Sequence, residues 1–194
     1  MIQLRKAEIT RETKETKIIL SLNIDGEGKS EIETPITFLN HLLKTFSTHS
    51  LIDLKISAEG DLSHHIIEDI AICLGKAIDL ALKDRDNLIR FGYAIVPMDD
   101  SLAIAAIDLV KRPYAKIDLN IFNENVEGVD CEDIKHFLET LAFSIPATIH
   151  INVKYGINNH HKIEASFKAL ALSIRKAIER DYKRKEIPST KGTM

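Results

Sequence analysis

The chain has 194 residues, 44% hydrophobic and 28% charged, with a net charge of −3 and two cysteines, Cys73 and Cys131. That length can bury a sizeable core as one domain or two small ones, and the composition is that of a soluble globular protein. The slightly acidic balance excludes a global field for nucleic acid; the charged start MIQLRKAEITRETKETK lacks a signal-peptide core, no run approaches a membrane span, and both thiols are expected to be reduced in a cytoplasmic setting.

In chain order, ITRETKETKIILSLNID sets Ile, Thr and Leu in partial alternation and predicts strands, followed by a turn over residues 25–28. Residues 31–34 continue as a short strand up to Pro35. From Ile36 to about His49 the apolar positions Phe38, Leu39, Leu42, Leu43 and Phe46 share a broad helical face. LIDLKISAEG alternates as a half-buried strand, a long helix runs from His64 to about Leu82, and KDRDN is expected as a polar loop. Beyond Arg90-Phe91-Gly92 the order resumes. YAIVPMDDSLAIAAIDLV predicts two strands around a turn at residues 97–100, and YAKIDLNIF a third. CEDIKHFLETLAFSI predicts a helix ended by Pro146, ATIHINVKYG a strand, and the stretch after Asn158-Asn159 a last long helix. The expected architecture is α+β: an internally duplicated unit with helices packed on one side of mixed β-sheets. The halves span residues 1–90 and 91–181, form one compact unit, and are followed by a basic tail over 182–194.

The duplication is carried by one motif, His-His-x-x-Glu opening an amphipathic helix. It occurs as His64, His65 and Glu68 and again as His160, His161 and Glu164. At that offset of 96 residues, Ile67, Leu74 and Ile78 fall on Ile163, Leu170 and Ile174. His41 precedes the first copy by 23 residues, and His136 precedes the second by 24. Residues three and four apart share a helix face, so Glu68 can approach a ligand held by His64 or His65. Adjacent histidines lie roughly 100° apart around the axis and cannot easily serve one ion from one backbone. They could serve two ions, or one ion and a partner chain. A glutamate in a first turn is also explained by the positive helix end alone. Two copies, each with its own upstream histidine, make a metal set the stronger reading. Imidazole with carboxylate suits Mn, Fe, Zn or Ni. Sequence leaves open whether the sets meet within one chain or across an interface of a symmetric oligomer.

The residues also carry a resemblance. TRETKET, FLNHLL with His49 after it, HHIIEDIAICLG, RFGYAIVPMDDSLA, DLVKRPY, KHFLETLA, YGINNHHKIEASFKALA and PSTKG occur in order along nearly the whole chain. This set resembles the imidazoleglycerol-phosphate dehydratases of histidine biosynthesis. The resemblance implies two manganese ions per subunit, held by His41, His64, His65, Glu68, His136, His160, His161 and Glu164. It implies substrate contacts from Arg90, Arg112, Ser189, Thr190, Lys191 and His49, the guanidinium forks and the lysine suiting a phosphate. Glu15 is similar to an acid–base position of the family, with Glu164 as its rival for moving the proton. The family resemblance further implies a shell of 24 subunits built from trimers, with metal sites completed between chains. The pattern departs at Asn40 and Ser63, where the family is usually acidic, and these positions bear on how metal-bound imidazoles are oriented.

The reaction so implied removes water from imidazole glycerol phosphate to give imidazole acetol phosphate. Its difficulty is a carbon-bound proton with no neighbouring carbonyl to acidify it, which calls for Lewis acids and a placed base. Two other classes compete. A binuclear metallohydrolase would release inorganic phosphate from an ester, and a metal-binding assembly without activity would not need Glu15, Arg90, Arg112 or Lys191.

Overall fold

The computed structural model describes residues 5–83, 85–121, 124–183 and 187–192. Three strands open the chain: β1 (Lys6–Glu12), β2 (Thr16–Asn23) and β3 (Ser30–Glu33). Helix α1 (Thr37–Ser50), strand β4 (Asp53–Gly60) and helix α2 (Ser63–Leu82) follow. The same order returns as β5 (Phe91–Met98), β6 (Ser101–Asp108), β7 (Tyr114–Asp118), α3 (Cys131–Ser144), β10 (Thr148–Tyr155) and α4 (Asn159–Ala177). The second half adds one piece that the sequence pattern does not announce, a small hairpin of β8 (Asn125–Val126) and β9 (Val129–Asp130) ahead of α3.

Each half builds a four-stranded sheet, in the orders β1-β2-β4-β3 and β5-β6-β10-β7. Both are mixed in the same way: two antiparallel pairings, then one parallel pairing of the third strand with the fourth. Alternation decides which face is buried. On β2 the residues Thr16, Ile18, Leu20 and Leu22 point inward, while on β6 the inward set is Ser101, Ala103, Ala105 and Ile107. Pro97 lies inside β5 rather than in the turn, which an edge strand tolerates because one row of its backbone groups has no ladder partner.

The helices lie against the inner faces, and they cross over between halves. Helix α2 covers β1 and β2, and α4 covers β5 and β6, while α1 packs on α4 and α3 packs on α2. Glycine allows two of these approaches. A Cβ at Gly92 would collide with the Ser173 carbonyl of α4, and one at Gly75 with Ser144 of α3. Phe137 of α3 and Phe167 of α4 stack at 5.7 Å between ring centroids in the middle of the helical layer, a pairing of a type worth about 1 kcal/mol beyond area burial. Both cysteines are free and buried within it.

The described residues of the polar loop expected after α2 do form turns and coil, but one of them is not solvated. Arg85 is fully buried, its guanidinium paired with Asp79 and donating to the carbonyls of Ile145 and Pro146 at the end of α3. Beyond it the inter-half segment runs beside the end of α4, where Ile89 N donates to Glu179 O and Asp181 N to Asn87 O.

Candidate metal centres between the halves

The crossing of helices brings the histidines together in a way that neither half could achieve alone. His41, in the first turns of α1, meets His160 and Glu164 of α4. His136 of α3 meets His64 and Glu68 of α2. Within each trio the ligand atoms all lie within 4.8 Å of one another. His41 Nε2 and His160 Nε2 both stand 3.1 Å from Glu164 Oε2, and His136 Nε2 stands 3.3 Å from Glu68 Oε1. The paired imidazole rings from opposite halves are 5.7 Å apart in the first trio and 5.3 Å in the second.

This donor set fits a divalent cation. Two imidazoles and one carboxylate converge, and in each trio one ring nitrogen facing away already has an acidic partner. His64 Nδ1 lies 2.7 Å from Asp133 and His160 Nδ1 lies 3.4 Å from Glu127, so Nε2 of each is left for an ion. Such partners fix the tautomer and raise the basicity of the ligand. Asn158 caps α4, accepting from the backbone N–H of His160 and His161 and so setting where that motif begins. Asn40 is turned away, its side chain bonded to Thr34.

Glu164 is buried against this trio. Burial alone would raise its pKa, but hydrogen bonds from Lys168 and His41 outweigh it and pull the carboxyl down to about 2. Further along α1, burial and then the same Lys168 charge push His49 below the ordinary histidine value, with Glu164 opposing them.

His65 and His161 join neither trio. His161 points to the turn between β5 and β6, while His65 meets the β4–α2 connection, with the β1–β2 turn a little further off. His65 Nδ1 lies 2.8 Å from Asp61 and 3.8 Å from Glu15, and His161 Nδ1 lies 2.6 Å from Asp100. The hydrogen bond that His65 donates to Asp61 raises the His65 pKa. Asp100 is held well below the usual carboxylate range, first by His161 and then by the backbone N–H groups of Ile157 and Asn158.

The residues expected to bind substrate are less tightly gathered. Arg90 is fully engaged, forking onto Asp108 and donating to Pro188 O at 2.5 Å, so it holds the segment that carries Ser189, Thr190 and Lys191. That segment is a turn closed by Gly192 N on Ser189 O. Arg112 is exposed before β7, with its carbonyl bonded by Thr148. Sequence reasoning missed the acidic partners Asp61, Asp133, Glu127 and Asp100 and the cation Lys168. Only the spacing of Asp61 to His65 and of Glu164 to Lys168, four residues each, could have signalled any of them.

Fold and site together define an internally duplicated α+β protein with paired imidazole–carboxylate centres at the seam between its halves. The sequence model of the imidazoleglycerol-phosphate dehydratase family matches residues 34–174. The chain is 46% identical to imidazoleglycerol-phosphate dehydratase of Methanothermobacter thermautotrophicus over 197 residues, covering 100% of both chains. It is 45% identical to that of Clostridium botulinum over 191 residues, 97% of each. Among solved structures, IGPD from Pyrococcus furiosus in complex with (S)-C348 superposes with a TM-score of 0.85 at 40% identity, covering 96% of this chain and all of that one. The Staphylococcus aureus dehydratase gives 0.83 at 33% identity, over 90% of this chain and 99% of its own. The chain belongs to the imidazoleglycerol-phosphate dehydratase family and is a hydro-lyase. Among the described residues no helix is long and apolar enough to cross a membrane.

Proposed function

We propose that the protein dehydrates imidazole glycerol phosphate to imidazole acetol phosphate in histidine biosynthesis, in the cytoplasm, with two manganese ions per chain. The observation that carries the metal dependence is the pair of cross-half trios, each offering two imidazoles and a carboxylate. When bound, such ions supply Lewis acidity to the substrate's ring nitrogens and orient the ring. His41, His160 and Glu164 would hold one, and His64, His136 and Glu68 the other. His65 and His161, standing outside the trios of their own chain, would complete sites of a neighbouring chain.

The remaining chemistry belongs to protein groups. Glu15 is the carboxylate best suited to take the carbon-bound proton: its side chain is 59% exposed and its nearest cation-forming partner is 3.8 Å away. Glu164, drawn down by Lys168 and His41, is a poor base by comparison. Arg112 and the Ser189-Thr190-Lys191 turn would hold the phosphate, with Arg90 securing that turn and His49 beside the substrate. Phosphate binding remote from the reacting carbons keeps the ring in place.

Assembly into 24 chains from trimers is part of the same proposal. The outer face of the second sheet exposes Phe91, Tyr93 and Ile95 at 55%, 77% and 63%, while the matching face of the first carries Glu8, Lys17, Lys55 and Glu59. Two sheets of one design with such different outer faces support contact between copies at the second.

Titration of metal-free protein with manganese tests the whole reading. Two ions per chain, a particle mass near 24 chains and manganese-dependent ketone formation are expected. Release of inorganic phosphate would favour a metallohydrolase, and binding without product a metal-binding assembly.

A further inference from the structure

The turn that carries Glu15 is fastened from beneath by a carboxylate with no assigned role. Asp69 follows Glu68 on α2 and is buried, with 6% of its surface exposed. Arg11 of β1 donates to its Oδ1 at 2.7 Å, and the Thr16 hydroxyl at the start of β2 donates to Oδ2. Thr16 Oγ1 lies 3.2 Å from Thr13 Oγ1, which in turn accepts from the backbone N–H groups of Glu15 and Thr16, each at 3.0 Å. An ionised carboxylate only accepts hydrogen bonds, so it sets the direction of the series. Thr16 donates to Asp69, Thr13 donates to Thr16, and the Glu15 N–H donates to Thr13. The Glu15 carbonyl closes the other side, accepting from Asp61 N at 3.0 Å.

The duplicate half is a natural comparison. There the residue preceding the second strand is Asp100 and the strand opens on Ser101, as Glu15 and Thr16 do in the first half. The counterpart of Asp69, 96 residues on, is Ala165. Ser101 Oγ is accordingly buried without a hydrogen-bond partner. That turn is held by its carboxylate instead, since Asp100 accepts from His161, Ile157 N and Asn158 N. One half fastens the turn through hydrogen bonds to the acid; the other fastens the backbone and leaves the acid with only the longer contact to His65, at 3.8 Å.

We infer that Asp69 is a positioning residue for the dehydration, holding the backbone of the β1–β2 turn so that the Glu15 carboxylate stays both placed and free to exchange a proton. This rests on the role of Glu15 proposed above. Asp69→Asn presents one oxygen and one amide, so either Arg11 faces an amide donor or Thr16, whose hydroxyl can also accept, runs the series in reverse; in both cases the charge that sets its direction is lost. Thr16→Val breaks it from the hairpin side at nearly constant volume, without touching α2.

The test is a cycle of Glu15→Gln, Asp69→Asn, Thr16→Val and each of the two double variants with Glu15→Gln. Manganese stoichiometry, KM and kcat are measured on assembled enzyme. Both positioning variants are expected to keep two ions per chain and KM within about threefold, while kcat falls at least tenfold. In the Glu15→Gln background neither should lower kcat further. An undiminished kcat penalty in that background, or loss of metal or of KM in both variants, would overturn the positioning role and leave Glu15 standing. Near-normal kcat in Glu15→Gln alone would overturn the role of Glu15 and this inference with it.

Discussion

At the scale of single residues, the site depends on histidines whose partners come from the other half of the chain. His136 lies 3.3 Å from Glu68, and its ring stacks at 5.3 Å on His64. His136→Ala should therefore empty the Glu68 site while leaving the Glu164 site loaded, so that elemental analysis reads one manganese per chain instead of two. Equal loading in the variant would mean that His136 is no ligand. The eight candidate ligands were legible in the sequence because a repeated motif isolates them. That six of them divide into two trios was not. Helix periodicity states which residues share a face, but no rule of spacing says which helix that face will meet. For the same reason Asp133, 69 residues from His64, could not be foreseen as its partner.

At the scale of elements, the repeated order of strands and helices could be read almost completely, because alternation in β2, β4, β6 and β10 and the apolar stripes of the helices are strong signals. What escaped were features set by tertiary contact. The β8–β9 hairpin has two residues per strand, too few for alternation to register. Arg85 lies in a stretch that composition marks as polar, yet it ties the end of α2 to Ile145 and Pro146. Arg85→Leu would leave those carbonyls without their donor and Asp79 without its cation. Breaking a buried pair of this kind costs about 3 kcal/mol, which should appear as a lower urea midpoint with unchanged kcat in the protein that remains folded. A midpoint equal to that of the parent would show the tie to be without consequence for stability.

At the scale of the whole molecule, the two sheets differ most on the faces turned away from the helices. Ile95 on β5 is 63% exposed in a single chain, beside Tyr93 at 77%. On the proposed assembly, Ile95→Asp would place a charge where copies meet. Light scattering should then show smaller particles, with the manganese-dependent activity reduced as sites that need a neighbour's histidine lose it. A full-size particle in the variant would remove this face from the contact. Sequence alone does not say whether a neighbour covers such a face, because an exposed strand face and a covered one follow the same alternation.

The crossing of α1 onto α4 and α3 onto α2 has a consequence for ancestry. A half-length forerunner, with one upstream histidine and one His-His-x-x-Glu helix, could not have closed a trio on itself. Only a pair of such chains, exchanging helices across a two-fold axis, would have gathered two imidazoles and a carboxylate at each end of the seam. Fusion of two copies of such a gene would make that dimer covalent. Copies so joined can drift separately, and the two turns do differ: Asp100 accepts three hydrogen bonds, while Glu15 keeps only the 3.8 Å contact with His65.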